Sequence, residues 1–290
     1  MDLARTLNSH GFAELAPSAL DAGAGAIETT LRIPGGRPRR VRIGPGRKGA
    51  ARVRILGPKA GPRVRAAVVD GVRHVLRLDQ DLSAFYARAA EDPDLAWAAS
   101  GAGRMLRSPT AFEDTVKTIC TTNCAWGATR RMVDALVTDL GDLSLGGSGP
   151  LTNAFPTPRA MAAAPESFYK ERVRAGYRAG YLISLARQVA GGALDLEALA
   201  AQAPERLPDD ELEAQLLDLP GVGPYAAAHI MMTMGRNSRL ILDSWTRPTY
   251  AQKLGRTKLV SDTTIRRRFR AYGDQAGLAF WLFVTSDWVD

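Results

Sequence analysis

Cysteine is scarce: two thiols, Cys120 and Cys124, occur in 290 residues. A zinc site or an iron–sulfur cluster takes about four ligands, and no second Cys/His group completes one here. Spaced four apart, the pair would share one helix face as small packed groups. Long hydrophobic runs are also missing. No stretch approaches a membrane span and none reads as a secretory leader, so a cytoplasmic protein without a membrane partner is expected. Acidic residues are outnumbered, 30 Asp+Glu against 38 Lys+Arg, for a net charge of +8. That balance favours a polyanionic partner without identifying it. What is present, 46% hydrophobic residues, can supply a genuine core, so disorder is not the default expectation.

The chain changes character near residue 79. Up to Leu78, the segments Ile27–Ile33, Arg39–Ile43, Arg52–Leu56, Arg63–Val69 and Arg73–Leu78 alternate basic and apolar residues between Gly/Pro turns, as an antiparallel sheet with one wet face would. Its arginines, Arg39, Arg40, Arg42, Arg52, Arg54, Arg63 and Arg65, either touch phosphate or are simply solvated. Beyond it the pattern is helical: 83–90, 111–120, 128–140, 175–190, 194–203, 209–217, 225–234, 262–272 and 277–288. The Gly-rich stretch 141–149 and the Pro-rich 155–158 read as connectors between two helical lobes. There is no internal repeat. The expectation is an α+β chain, with an N-terminal antiparallel β domain over 1–95 and a two-lobed all-α domain over 96–290 that holds a site between its lobes.

The sharpest local signal is Leu216-Leu217-Asp218-Leu219-Pro220-Gly221-Val222-Gly223-Pro224-Tyr225, lying between two helical patterns. A helix ends, the chain turns on two glycines, and Pro224 opens the next helix. Such a turn exposes backbone N–H groups beside a helix N-terminus, a seat for phosphate, although glycines also simply join two packed helices. Further on, Leu240-Ile241-Leu242-Asp243-Ser244-Trp245 places one acid after three aliphatics. Neighbours that favour burial make its desolvation expensive unless the charge is used or paired.

The segment Leu219 to Arg247 resembles the helix-hairpin-helix motif and catalytic-aspartate loop of the DNA glycosylase superfamily that includes endonuclease III, adenine glycosylase, 8-oxoguanine glycosylase and 3-methyladenine DNA glycosylase II. Thr118–Asn123 and Gly176–Tyr181 resemble further segments of the 8-oxoguanine enzymes, and the tail 269–288 is also similar. The resemblance implies a base-flipping enzyme of base excision repair, bacterial and nucleoid-associated, that acts as a monomer on double-stranded DNA holding a damaged base. It implies that Asp243 is the carboxylate at the anomeric carbon, and that Pro220, Gly221, Val222 and Gly223 meet the DNA backbone. Asn123 and Tyr177 fall where the family fills the gap or wedges the opposite strand, with Arg178 near the unpaired partner base. The backbone carbonyls of Leu217, Leu219 and Val222 correspond to those that hold a monovalent cation, Na+ or K+.

Two departures refine this. Bifunctional members carry a lysine where this chain has Tyr225, and no Lys occurs in 225–234. Without that amine no Schiff base forms, so a monofunctional hydrolase with no lyase activity is expected, and the four cluster cysteines of endonuclease III are absent too. No acid able to protonate a leaving base is evident, which favours alkylated purines that already carry positive charge; oxidised or deaminated bases, and a non-catalytic helix-hairpin-helix DNA-binding module, are the rival readings. For the base pocket the candidates are Tyr225, Trp245, Trp126 and His229, with Tyr250, Trp281 and Phe283 as further stacking aromatics, each about 1–3 kcal/mol per base if used. His229 is either a polar pocket group or a packing histidine.

Overall fold

The protein is described here from a computed structural model covering residues 1–47 and 50–289; residue 290, the last of the expected second domain, lies outside the described residues. Helix α1 (Leu3–Leu7) leads through a 3-10 turn (Gly11–Glu14) into a four-stranded antiparallel sheet, β1 (Ala19–Asp21), β2 (Ala26–Leu31), β3 (Arg39–Pro45) and β4 (Ala51–Ile55), in the order β1-β2-β3-β4. Register is fixed by pairs such as Ile27↔Ile43 and Ile43↔Val53, which line up apolar side chains on one face. Helices follow: α2 (Pro62–Val75), α3 (Ser83–Ala90), α4 (Ala111–Thr121), α5 (Trp126–Leu140), α6 (Pro158–Ala163), α7 (Arg178–Ala190), α8 (Leu196–Ala201), α9 (Asp209–Leu217), α10 (Pro224–Met234), α11 (Thr246–Lys253), α12 (Asp262–Phe269) and α13 (Ala276–Val284). The fold is thus α+β, a small N-terminal sheet followed by a helical body.

Two of the expected strands are corrected. Arg63–Val69 and Arg73–Leu78 belong to the single helix α2, apart from Leu76–Leu78 at its end. Val68, Val72 and Val75 are spaced four and three apart and are all buried, so they form a helical stripe that covers the sheet, and Pro62 stands in the first turn where its missing N–H costs nothing. Local Arg-Val alternation masked that longer period. Arg63 and Arg65 therefore leave the sheet. Of the arginines that stay, Arg40 is buried and donates to the Pro17 carbonyl, and Arg42 is paired with Asp21 and Glu28; Arg52 and Arg54 are exposed on the edge strand β4. Helix α11 was not evident in sequence because Thr246-Arg247-Pro248-Thr249 is polar and carries a proline in the first turn, with only Thr246, Tyr250 and Ala251 buried.

Three cores result. One lies between the sheet and α2. A second fills the lobe of α4 to α10, and a third joins α3 and the segment 95–105 to α11–α13. The boundary expected at residue 95 is corrected accordingly: α3 packs in the C-terminal lobe, so the change of core falls between Leu76 and Leu82, and that lobe is assembled from both sides of the intervening helices. Helix α4 is the axis, buried along 111–120, capped by Thr110 through the Glu113 amide at 3.2 Å and carrying the ion pair Lys117–Glu113 at 2.6 Å. Helix α10 contributes to both helical cores, with Ile230 and Met231 in one and Ala228 and Met232 in the other. The cleft described next opens where these lobes meet.

Candidate active site

The carboxylate of Asp243 is fixed by its own helix start. Its Oδ1 accepts the amides of Trp245 at 2.9 Å and Thr246 at 2.6 Å, while its N–H donates to Thr246 Oγ1 at 2.9 Å. This reciprocal pair caps α11. One oxygen is thereby used to hold the group rigid, and the half-buried side chain lines a cleft of about 1670 Å³. Asp243 is thus satisfied by backbone amides, as its position behind aliphatics demands.

Around it stand three indoles: Trp245, Trp281 and Trp288, with ring centres 5.6–6.0 Å apart. Trp281 is anchored by its Nε1 donating to the Ser9 carbonyl at 2.7 Å, while Trp245 and Trp288 are 41% and 42% exposed and so free to take a planar ligand. Tyr225, in the first turn of α10, shares a hydrogen bond of 3.2 Å with Thr121 Oγ1; burial pushes its phenol above the ordinary range, and the Asp243 charge adds to this. His229, one turn on, is 5% exposed, and burial with His10 nearby lowers its pKa to about 3, so it is neutral. Trp126 closes the opposite wall, its Nε1 donating to Glu14 Oε2 at 3.2 Å.

The hairpin forms another part of the rim. Gly221 has φ +81, and a Cβ there would lie 2.5 Å from the ring of Tyr181, so glycine is required twice over. Gly223 caps α10 in extended conformation, and a Cβ there would meet nothing within 4 Å. The Val222 N–H donates to the Leu219 carbonyl at 3.1 Å, which closes the turn. Leu217, Leu219, Gly221, Val222 and Gly223 all face the cleft; Pro220 does not line it. On the far side Asn123 adopts φ +46 and its Nδ2 lies 3.5 Å from the Tyr177 hydroxyl; Tyr177 is 57% exposed.

Arg178 is placed differently from the sequence expectation. It is buried, its Nε donates to Thr122 Oγ1 at 3.2 Å, and a second bond goes to the Thr122 carbonyl. Its donors brace the loop that carries Asn123 and are not presented to a partner base. Tyr250 and Phe283 also lie elsewhere, packed with Phe269 and Phe280 in the C-terminal core. Cys120 is buried and Cys124 donates to its carbonyl at 3.1 Å. Sequence reasoning missed the wall built by residues 7–14, including Phe12 and Glu14, and missed Trp288. Neither carries a motif; only the chain path brings them to the cleft.

Among the described residues no Lys or Arg lines the cleft, and its formal charges are Glu14 and Asp243, both negative, in a protein of net charge +8. Nor is any helix long and apolar enough to cross a membrane among them.

No protein-family model matches the chain, and no curated protein matches it in sequence. Solved structures do. A 3-methyladenine DNA glycosylase from Archaeoglobus fulgidus is similar over 98% of this chain and 94% of its own, at 19% identity and a TM-score of 0.74. An 8-oxoguanine glycosylase/lyase from Clostridium acetobutylicum, in complex with double-stranded DNA containing cytosine opposite 8-oxoguanine, is similar over 89% of this chain and 87% of its own, at 23% identity and a TM-score of 0.66.

Proposed function

We propose that this chain, which has the fold of the helix-hairpin-helix DNA glycosylases, is a monofunctional N-glycosylase of base excision repair that flips an alkylated purine into the aromatic cleft and releases it by hydrolysis. The observation that carries the reading is the charge of the cleft. A cationic base such as 3-methyladenine or 7-methylguanine is favoured by indole faces and by two carboxylates, and meets no Lys or Arg among the described residues. A neutral base would need an acid to leave; a base that is already cationic departs with the bonding pair unaided.

In the reaction the C1′–N bond breaks and its electron pair leaves with the base, so positive charge grows on the sugar. Asp243, pinned through Oδ1, stabilises that charge and orients the water whose oxygen bonds to C1′, its carboxylate taking the proton that this water loses. Trp245 and Trp288 stack on the extruded base. The amides of Gly221 and Gly223, at the N-terminus of α10, take a phosphate of the strand, and Asn123 with Tyr177 enters the gap. The carbonyls of Leu217, Leu219 and Val222, neutral oxygen donors on one tight turn, are the set for a monovalent cation that would stiffen the hairpin.

Duplexes bearing 3-methyladenine, 7-methylguanine, hypoxanthine, ethenoadenine, uracil or 8-oxoguanine test the reading. Release of the two methylated purines without a borohydride-trappable adduct is expected. Selective release of 8-oxoguanine would replace the substrate class, and binding without release of any base would make the chain a DNA-binding module.

A further inference from the structure

Two buried imidazoles stand side by side in the wall of the cleft, 5.6 Å apart and edge to face. His10 is bonded at both nitrogens. Its Nε2 lies 2.6 Å from the Leu106 carbonyl, which requires the proton there, and its Nδ1 accepts the Phe12 amide at 3.4 Å. Among the described residues His229 has a partner at neither, although it is equally buried. An orphaned polar atom in such a place is destabilising, and buried polar groups are otherwise almost always paired. The packing offers no reason for an imidazole. Phe12 lies parallel to the ring at 5.1 Å, Tyr225 is edge-on at 6.0 Å and Trp281 is tilted at 6.4 Å, an aromatic nest that a phenylalanine would fill without orphaned atoms. His229 nevertheless lines the cleft beside the hairpin and the carboxylate.

We propose that His229 is the specificity-determining residue of this pocket, a neutral imidazole that offers the flipped base one hydrogen-bond acceptor and one N–H donor. The inference rests on the glycosylase reading. Because burial and His10 keep the ring uncharged at working pH, it carries one lone pair and one N–H and does not repel a cationic ligand. The lone pair accepts from the exocyclic amine of an alkylated adenine; the N–H donates to the ring carbonyl oxygen of an alkylated guanine. Either base therefore satisfies a ring nitrogen that no protein group pairs, so selectivity arises from an edge rather than from stacking alone.

The test uses the whole protein and two variants, His229→Phe, which keeps the aromatic fill, and His229→Gln, which keeps a donor and an acceptor. His229→Phe is expected to melt at or above the wild-type temperature yet release 3-methyladenine and 7-methylguanine 10- to 100-fold more slowly under single-turnover conditions, and His229→Gln to recover part of the loss. Wild-type rates in a folded His229→Phe protein would overturn the inference while leaving the glycosylase reading intact; a wild type that releases no base overturns both. As a readout independent of any variant's folding, the ring nitrogen resonances of His229 in 15N-histidine-labelled wild type are expected to shift on titration with free 3-methyladenine. Unmoved resonances at saturating base would equally reject it.

Discussion

Replacing Gly221 by alanine should be costly, and replacing Gly223 nearly free, although both stand in the same turn. At Gly221 the backbone has φ +81, and an L-residue in that region costs about 1–2 kcal/mol. The added Cβ would also lie 2.5 Å from Tyr181 Cδ2 and 2.8 Å from its Cγ, so the ring must move. Overpacking of this kind costs roughly 1–3 kcal/mol, and because Tyr181 is 37% exposed it can swing outward, which places the cost at the low end. Loss of glycine's freedom in the unfolded chain returns about 0.4–1 kcal/mol. The net expectation is a destabilisation of about 2 kcal/mol for Gly221→Ala. For Gly223→Ala no atom lies within 4 Å and φ is −100, so only the weaker cap preference of alanine counts, within about 0.5–1 kcal/mol before the same entropic return. Urea denaturation of the two variants measures the difference. Adding Tyr181→Ala to Gly221→Ala should recover the overlap but not the backbone strain. Equal stabilities for the two single variants would refute the reasoning. Since Tyr177 packs edge-on against Tyr181 at 5.9 Å, Gly221→Ala is also expected to weaken duplex binding more than Gly223→Ala does.

Two further outcomes are expected. The three histidines, His10, His74 and His229, are each held below their ordinary pKa by burial, to about 4, 4 and 3. They are neutral when folded and protonated when unfolded, so their contribution is present above pH 6.5 and is lost as pH falls through 4 to 3. Asp114 opposes them: burial raises it to about 7, so it favours the folded state below pH 3.8 and loses that effect as pH rises through 7. Nearly three protons taken up on unfolding against one released predicts stability rising from pH 5 to 6 by roughly 2 kcal/mol, read by urea titration; a flat or falling profile would contradict it. Tyr225→Lys places an amine beside Thr121 in the cleft, and should yield a borohydride-trappable adduct with abasic DNA that the wild type does not form; absence of the adduct in a folded variant would show that position 225 does not reach the sugar.

The hairpin and Asp243 were legible because they are local: a Gly-Val-Gly turn between helical periods and one acid behind aliphatics keep their meaning without the rest of the chain. The sheet was legible only where alternation was real. Over residues 62–75 the Arg-Val alternation and the four-and-three valine spacing compete, and only the helix lets Val68, Val72 and Val75 face the same core. Phe12, Glu14 and Trp288 were illegible for another reason. They reach the cleft from the two ends of the chain, through contacts such as Trp281 with the Ser9 carbonyl, and no local pattern encodes that meeting. Arg178 shows the converse: a recognisable segment marks this basic residue as available to DNA, whereas Thr122 takes up its donors.

The central claim is that Asp243 acts on the sugar and does more than cap a helix. Asparagine caps a helix about as well as aspartate, so Asp243→Asn should still accept the Trp245 and Thr246 amides and keep the stability of α11 within about 0.5 kcal/mol. It lacks the negative charge that the transition state uses. Single-turnover release of 3-methyladenine by this variant, beside its urea stability and duplex affinity, is therefore the most direct measurement. A stable variant with wild-type affinity and release slowed on the order of a hundredfold or more is the predicted result; undiminished release would contradict the account.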